Sequence, residues 1–183
     1  MRTFVAIKIP VEHSLKTTLR DFKNELPYEE IKWVDFSTLH LTLFFLGETE
    51  ESELDKIGEA FSRELVGFPK FNITINSFGT FGQKRNPKVI WVGVKPIAQL
   101  NELHRTINGV IEPLGFTPDE RGFNPHITIG RVKQIKNPEL LAELIDEFGD
   151  SVYQNTTIDS VILYKSELTP KGPIYTPMVT QHF

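Results

Sequence analysis

Cysteine is absent from all 183 residues. That one absence removes disulfide staples, thiolate catalysis, and cysteine-ligated zinc or iron–sulfur sites. A basic excess is absent too. Lys and Arg total 20 against 24 Asp and Glu, a formal charge of -4. Such a chain does not coat nucleic acid non-specifically, which needs a cationic surface, although a small basic pocket is compatible with it. No apolar run approaches the roughly 18 residues of a membrane span. The opening MRTFVAIKIPVEHS has too short an apolar run and the wrong flanks for a signal peptide. There is no His-Glu-x-x-His and no clustered His and Asp to hold a metal. The expectation is a cytoplasmic protein, off the membrane, with no metal and no cofactor. What is present suffices for a core: 39% of residues are apolar, with 14 Phe, in a length that suits one large domain or two small intimate halves.

The two triplets His40-Leu41-Thr42 and His126-Ile127-Thr128 stand out against this background. Each lies in an alternating apolar run, FSTLHLTLFFLG and FNPHITIGR, which reads as a strand. Side chains two apart on a strand share a face. His40 therefore sits beside Thr42 and His126 beside Thr128, while Leu41, Leu43, Ile127 and Ile129 point into packing.

Around these strands the periodicities predict an ordered alternation. A strand from Thr3 to Pro10 has Val5, Ile7 and Ile9 on one face. A helical stripe follows through Val11, Leu15, Leu19, Phe22 and Leu26. The acidic run Glu48–Glu53 starts a second helix, where negative charge suits the macrodipole. Phe71–Ile75 reads as a strand, Phe78–Pro87 as a loop, and Lys88–Val94 as a strand. Helices follow over Ile97–Ile111 and from Asn137, with a polar loop, Gly115–Gly122, between them. Ile158–Leu163 reads as a strand. The terminal GPIYTPMVTQHF reads as an edge strand, since Pro173 and Pro177 forbid a full ladder.

A repeat runs through this order. His126 follows His40, Thr128 follows Thr42, Pro96 follows Pro10 and Leu140 follows Leu54, each by 86 residues, with no indel needed between these landmarks. Both halves, about 1–86 and 87–183 of a single domain 1–183, read strand, Pro, helix, His-x-Thr strand, helix, strand. An approximate two-fold would set the two His-x-Thr faces across one cleft. Two imidazoles on opposite walls suit phosphodiester cleavage, which must activate an attacking oxygen and protonate a leaving one. Histidine titrates near neutrality and can do either. The threonine hydroxyls can donate to the non-bridging phosphate oxygens as charge grows on them.

On these motifs, with RTFVAIKIP, PKVIWVGV and LYKSELTPKGPIY, the chain resembles the two-histidine (2H) phosphoesterases over nearly its whole length. It is most similar to the RNA 2′,3′-cyclic phosphodiesterases, also known as 2′-5′ RNA ligases. The resemblance implies a bilobal α+β fold of pseudo-two-fold symmetry, with antiparallel sheets flanking a central cleft and helices outside. It implies metal-independent hydrolysis of 2′,3′-cyclic phosphate ends to 2′-phosphomonoesters, with reversible 2′-5′ ligation as an associated activity. It makes His40 the proton donor, His126 the proton acceptor, and Thr42 and Thr128 the phosphate-binding hydroxyls. The implied partners are RNA with cyclic phosphate ends or small cyclic nucleotides, met by a monomer.

Four further residues are candidate substrate contacts. Arg121 precedes the second motif, where a guanidinium could grip a phosphate. Arg131 lies five residues past His126, so strand parity aims it away from the cleft. Phe45 and Phe123, like Trp33, lie near the motifs and could stack on a base, although core packing is the better reading of each. His13, His104 and His182 receive no chemistry. Two alternatives remain at the level of sequence: a phosphodiesterase for 2′-5′ oligonucleotides or small cyclic phosphates, and a non-catalytic RNA-end binder.

Overall fold

Alternation and helical stripes of apolar residues build thirteen elements in the computed structural model, which describes residues 1–118, 122–149, 151–170 and 172–183. In chain order they are β1 (Arg2–Lys8), α1 (His13–Asn24), β2 (Glu30–Trp33), β3 (His40–Glu48), α2 (Glu51–Leu65), β4 (Phe71–Gln83), β5 (Asn86–Val94), α3 (Ala98–Ile111), β6 (His126–Gln134), α4 (Pro138–Glu147), β7 (Val152–Ile158), β8 (Ser160–Thr169) and β9 (Gly172–His182). Local chemistry sets several of these boundaries. Glu50 and Glu53 form a reciprocal capping box at the start of α2, and the Asn137 side chain accepts from the Leu140 N–H at the start of α4.

All strand pairs are antiparallel, in the order β7-β4-β5-β6-β3-β1-β8-β9, with β2 also on β6. The structure is thus a mixed α/β fold with one continuous sheet. At its centre β3 meets β6 through Leu41 opposite Ile127. The sheet's halves about that seam are not the sequence's halves: β4 crosses to pair with β5 and β7, and β8 and β9 return to pair beside β1.

The helices bury their apolar stripes against one face of the sheet. Leu15, Phe22, Phe61, Leu103 and Ile107 join Leu41, Ile73, Ile90 and Ile127 in the main core. The other face carries a small cluster of Phe4, Ala6 and Tyr164, with Ile162 and Tyr175 packed on it. β1 is therefore buried on both faces, where alternation alone predicts one.

Two other expectations are corrected. The chain over Phe78–Pro87 is not a loop: β4 runs through to Gln83 and β5 begins at Asn86. Its glycines serve the strand. A Cβ at Gly79 would collide with the Trp91 indole lying across it, and Gly82, at φ +112°, takes a register shift. The strand expected over Ile158–Leu163 is two strands, broken at Asp159. The landmarks keep their 86-residue spacing, and ahead of Pro10 and Pro96 the repeat takes one indel. Val5 pairs with Phe44 as Ile90 pairs with Gly130, so β1 and β5 correspond at an offset of 85 rather than 86 residues.

Candidate active site

Leu41 and Ile127, both fully buried, face the helices. Their sequence neighbours therefore face the open side of the sheet. Because β3 and β6 run antiparallel, His40 lies across the seam towards Thr128, and Thr42 towards His126. The two triplets form one four-residue cluster on one face, with each histidine beside the other strand's threonine.

Both imidazoles are held the same way. His40 Nδ1 lies 2.8 Å from the Thr38 carbonyl oxygen, and His126 Nδ1 lies 2.8 Å from the Asn124 carbonyl oxygen. A carbonyl only accepts, so each Nδ1 carries a hydrogen and donates it. Nε2 is then the nitrogen free to exchange a proton on both rings. Neither threonine hydroxyl has a hydrogen-bond partner among the described residues.

Each histidine sits in an aromatic nest from its own side of the seam. Phe4 lies 5.0 Å from His40, and the Tyr175 ring meets it edge-on at 5.1 Å and 82°. Phe81 meets His126 at 4.7 Å and 90°, with Trp91 at 6.4 Å. Burial lowers the pKa of His40 below its ordinary value. The bond to the Thr38 carbonyl opposes this, and the charges of Arg131 and His126 add to the lowering.

The repeat extends to a pair of bulges. Ala6 pairs with Thr42 but Val5 with Phe44, leaving Leu43 extra; Trp91 pairs with Thr128 but Ile90 with Gly130, leaving Ile129 extra. Each bulge puts two consecutive residues towards the core and so flips the parity of the residues that follow, as far as the next register shift. Arg131 therefore faces the histidines, correcting the expectation that it points away. Its charge acts on His40 and also on Tyr175. By the same device Phe45, at the equivalent place in β3, lies on the open face, 63% exposed rather than packed in a core.

The remaining candidates are placed differently. Phe123 stacks on His104 with centroids 4.0 Å apart and 8° between planes, which covers one face of its ring. Trp33 packs at the edge of the main core, against Phe22. Arg121 lies outside the described residues. Sequence reasoning missed Phe4, Phe81, Trp91 and Tyr175. The first three follow from strand alternation once register is known. Tyr175 carries no local signal, because β9 is brought to His40 only by the sheet's topology.

The chain is similar to known proteins. Residues 11–170 match the model of the 2'-5' RNA ligase superfamily. An RNA 2',3'-cyclic phosphodiesterase of Thermotoga maritima is 38% identical, over 96% of this chain and 91% of the relative. One from Archaeoglobus fulgidus is 36% identical, over 96% of each. In fold, TT0787 of Thermus thermophilus superposes with a TM-score of 0.77 at 25% identity, covering 100% of this chain and 97% of that one. E. coli LigT complexed with 3'-AMP also gives 0.77, at 24% identity, covering 99% and 97%. With a matched model spanning most of its length and relatives this similar end to end, the chain belongs to the 2'-5' RNA ligase superfamily.

Proposed function

We propose that the protein hydrolyses RNA 2′,3′-cyclic phosphate ends to 2′-phosphomonoesters, without a metal, through His40 and His126. The observation that carries this is the matched pair of Nδ1–carbonyl bonds, which leaves both Nε2 atoms on one face across the β3–β6 seam. His126 Nε2 takes a proton from water as the water oxygen bonds phosphorus. The bond from phosphorus to O3′ breaks, and His40 Nε2–H delivers its proton to that oxygen. Thr42 and Thr128 donate to the non-bridging oxygens, and Arg131 adds positive charge where negative charge grows. Phe45 offers an exposed ring on which the terminal base stacks. With an RNA 5′-hydroxyl in place of water as the attacking oxygen, the same acid–base pair supports 2′-5′ ligation. Among the described residues no group of three or more His, Asp and Glu is arranged to hold a metal ion, and no helix is long and apolar enough to cross a membrane. One chain supplies both histidines and both threonines, which suits a monomer built as one domain of two related halves and working on RNA in the cytoplasm.

The roles of the two histidines separate with an activated substrate. On an RNA cyclic phosphate, His40→Ala and His126→Ala should each cost about 10²–10⁴-fold in kcat/KM. On a p-nitrophenyl phosphodiester, whose leaving group needs no protonation, His40→Ala should recover and His126→Ala should not. Recovery of His126→Ala instead reverses the assignment. Near wild-type turnover of the cyclic phosphate by both variants removes the histidines from the chemistry. Tight binding of the RNA end by the wild-type protein without turnover leaves the RNA-end binder as the better description.

A further inference from the structure

The open face is not symmetric about the seam. At the two equivalent positions beyond the bulges stand Phe45 on β3 and Arg131 on β6. Further along the β6 side, cations continue. Lys32 on β2 is the register partner of Arg131. Register partners in a sheet point to the same face. Ile31 and Trp33, on either side of Lys32, pack on the main core, so Lys32 faces the open side. Lys133 is the extra residue of a second register shift, opposite Glu30, and is exposed beside buried Val132, on the groove that Lys32 also lines.

These lysines line a groove of about 410 Å³ whose other walls are Glu29, Glu30, Ile31 and Pro170. Pro170 belongs to the turn between β8 and β9. That turn reaches β2: a Cβ on Gly172 would lie 3.7 Å from Lys32 Nζ. The same hairpin carries Tyr175 onto His40. It therefore spans the open face from the acid histidine to the groove. The lining itself balances two cations, Lys32 and Lys133, against two carboxylates, Glu29 and Glu30. The adjoining Arg131, register partner of Lys32, makes the site net positive. The Glu29 carboxylate accepts from the backbone N–H groups of Lys136 and Asn137, which holds it towards the start of α4.

We infer that this groove binds the phosphodiester backbone on the 5′ side of the terminal nucleotide, so that the preferred substrate is an RNA strand rather than a cyclic mononucleotide. The inference rests on the function proposed above. With the cyclic phosphate between the histidines and its base at Phe45, the strand leaves towards Arg131, and its next phosphates meet Lys32 and Lys133. An acidic protein gains affinity for a polyanion here without a basic surface elsewhere.

The test compares wild type with Lys32→Gln/Lys133→Gln on two substrates, a 2′,3′-cyclic mononucleotide and a short RNA ending in a 2′,3′-cyclic phosphate. Wild type should favour the RNA through a lower KM. The variant should lose that preference with kcat unchanged, and its mononucleotide kinetics should match wild type. The slope of log kcat/KM against log salt for the RNA should become shallower by roughly 0.7 for each phosphate no longer neutralised, about 1.4 for two. Equal kcat/KM for the two substrates in wild type, or an unchanged preference in the variant, overturns the inference. Fluorescence anisotropy with a labelled RNA ending in a 2′-phosphate gives a second readout that needs no turnover. If wild type cleaves neither substrate, the proposed function falls, whereas weaker RNA binding by the variant still upholds the groove and equal binding overturns it.

Discussion

His40 carries an apparent contradiction. A general acid must hold its proton, yet burial between Phe4 and Tyr175, with Arg131 near, lowers its pKa below 6.5. The contradiction belongs to the free enzyme. A phosphate anion between the histidines favours the imidazolium and raises the pKa again. The sign is then fixed for each kinetic constant. The acid is lost as pH rises through its pKa. kcat/KM reports the free enzyme, so its alkaline limb should fall at lower pH than that of kcat, which reports the complex. By NMR, the His40 ring, identified by its loss in His40→Asn, should titrate below 6.5 in the free protein and move upward when a nucleoside 2′-phosphate is added. A free-protein midpoint at or above 6.5, or no upward movement, would refute this account. At this scale the sequence was informative about His40, Thr42, His126 and Thr128, because period-two alternation is all their placement needs. It was misleading about Arg131 and Phe45, because parity counts residues and a bulge adds one.

Between residue and fold, the bulges at Leu43–Phe44 and Ile129–Gly130 re-aim a side chain on each motif strand, and Gly79 of β4 lets the Trp91 indole lie across it. Neither device has a period, and so periodicity reads them as noise: Gly79 and Gly82 made a strand look like a loop. Gly79 is the sharper case. It pairs with Trp91, whose indole occupies the space a Cβ would need, and Trp91 borders His126. Gly79→Ala should therefore overpack the open face. We expect a loss of about 1–3 kcal/mol, altered Trp emission, and reduced kcat as Trp91 is pushed towards His126. Gly109→Ala, in α3 with nothing within 4 Å of the added methyl, is the matched control. It should gain up to about 1 kcal/mol from helix propensity and leave kcat unchanged. If Gly79→Ala unfolds at the wild-type denaturant midpoint with wild-type turnover, Trp91 has room that the packing does not show.

At the scale of the whole chain, a sequence repeat invites the picture of two independent lobes, and the sheet contradicts it. Cutting the turn between β4 and β5, after Lys84, would give fragments 1–84 and 85–183. Five of the eight strand pairings cross that cut: β4 with β5, β4 with β7, β1 with β8, β3 with β6, and β2 with β6. The first fragment keeps only β1 with β3. Its β4, with Ile73 and Ile75 fully buried in the intact chain, would have no partner strand. The second keeps β5 with β6 and β8 with β9, but loses the strands between those two pairs. Helix packing crosses the cut as well, since α2 lies against both α3 and β9. Isolated two-stranded units are marginal in water, so neither fragment should fold alone. The exchange that makes the halves dependent also makes them complementary. The cut falls in an exposed hairpin turn, the kind of place where a break in the chain is best tolerated. Each fragment should show no cooperative thermal transition by circular dichroism. Mixing them should restore one transition, together with turnover, because His40 and His126 arrive on different fragments and meet only when β3 pairs with β6. A cooperative transition in fragment 1–84 by itself would mean that the sequence repeat does mark a folding unit, and that the strand exchange was added to a lobe already stable without it.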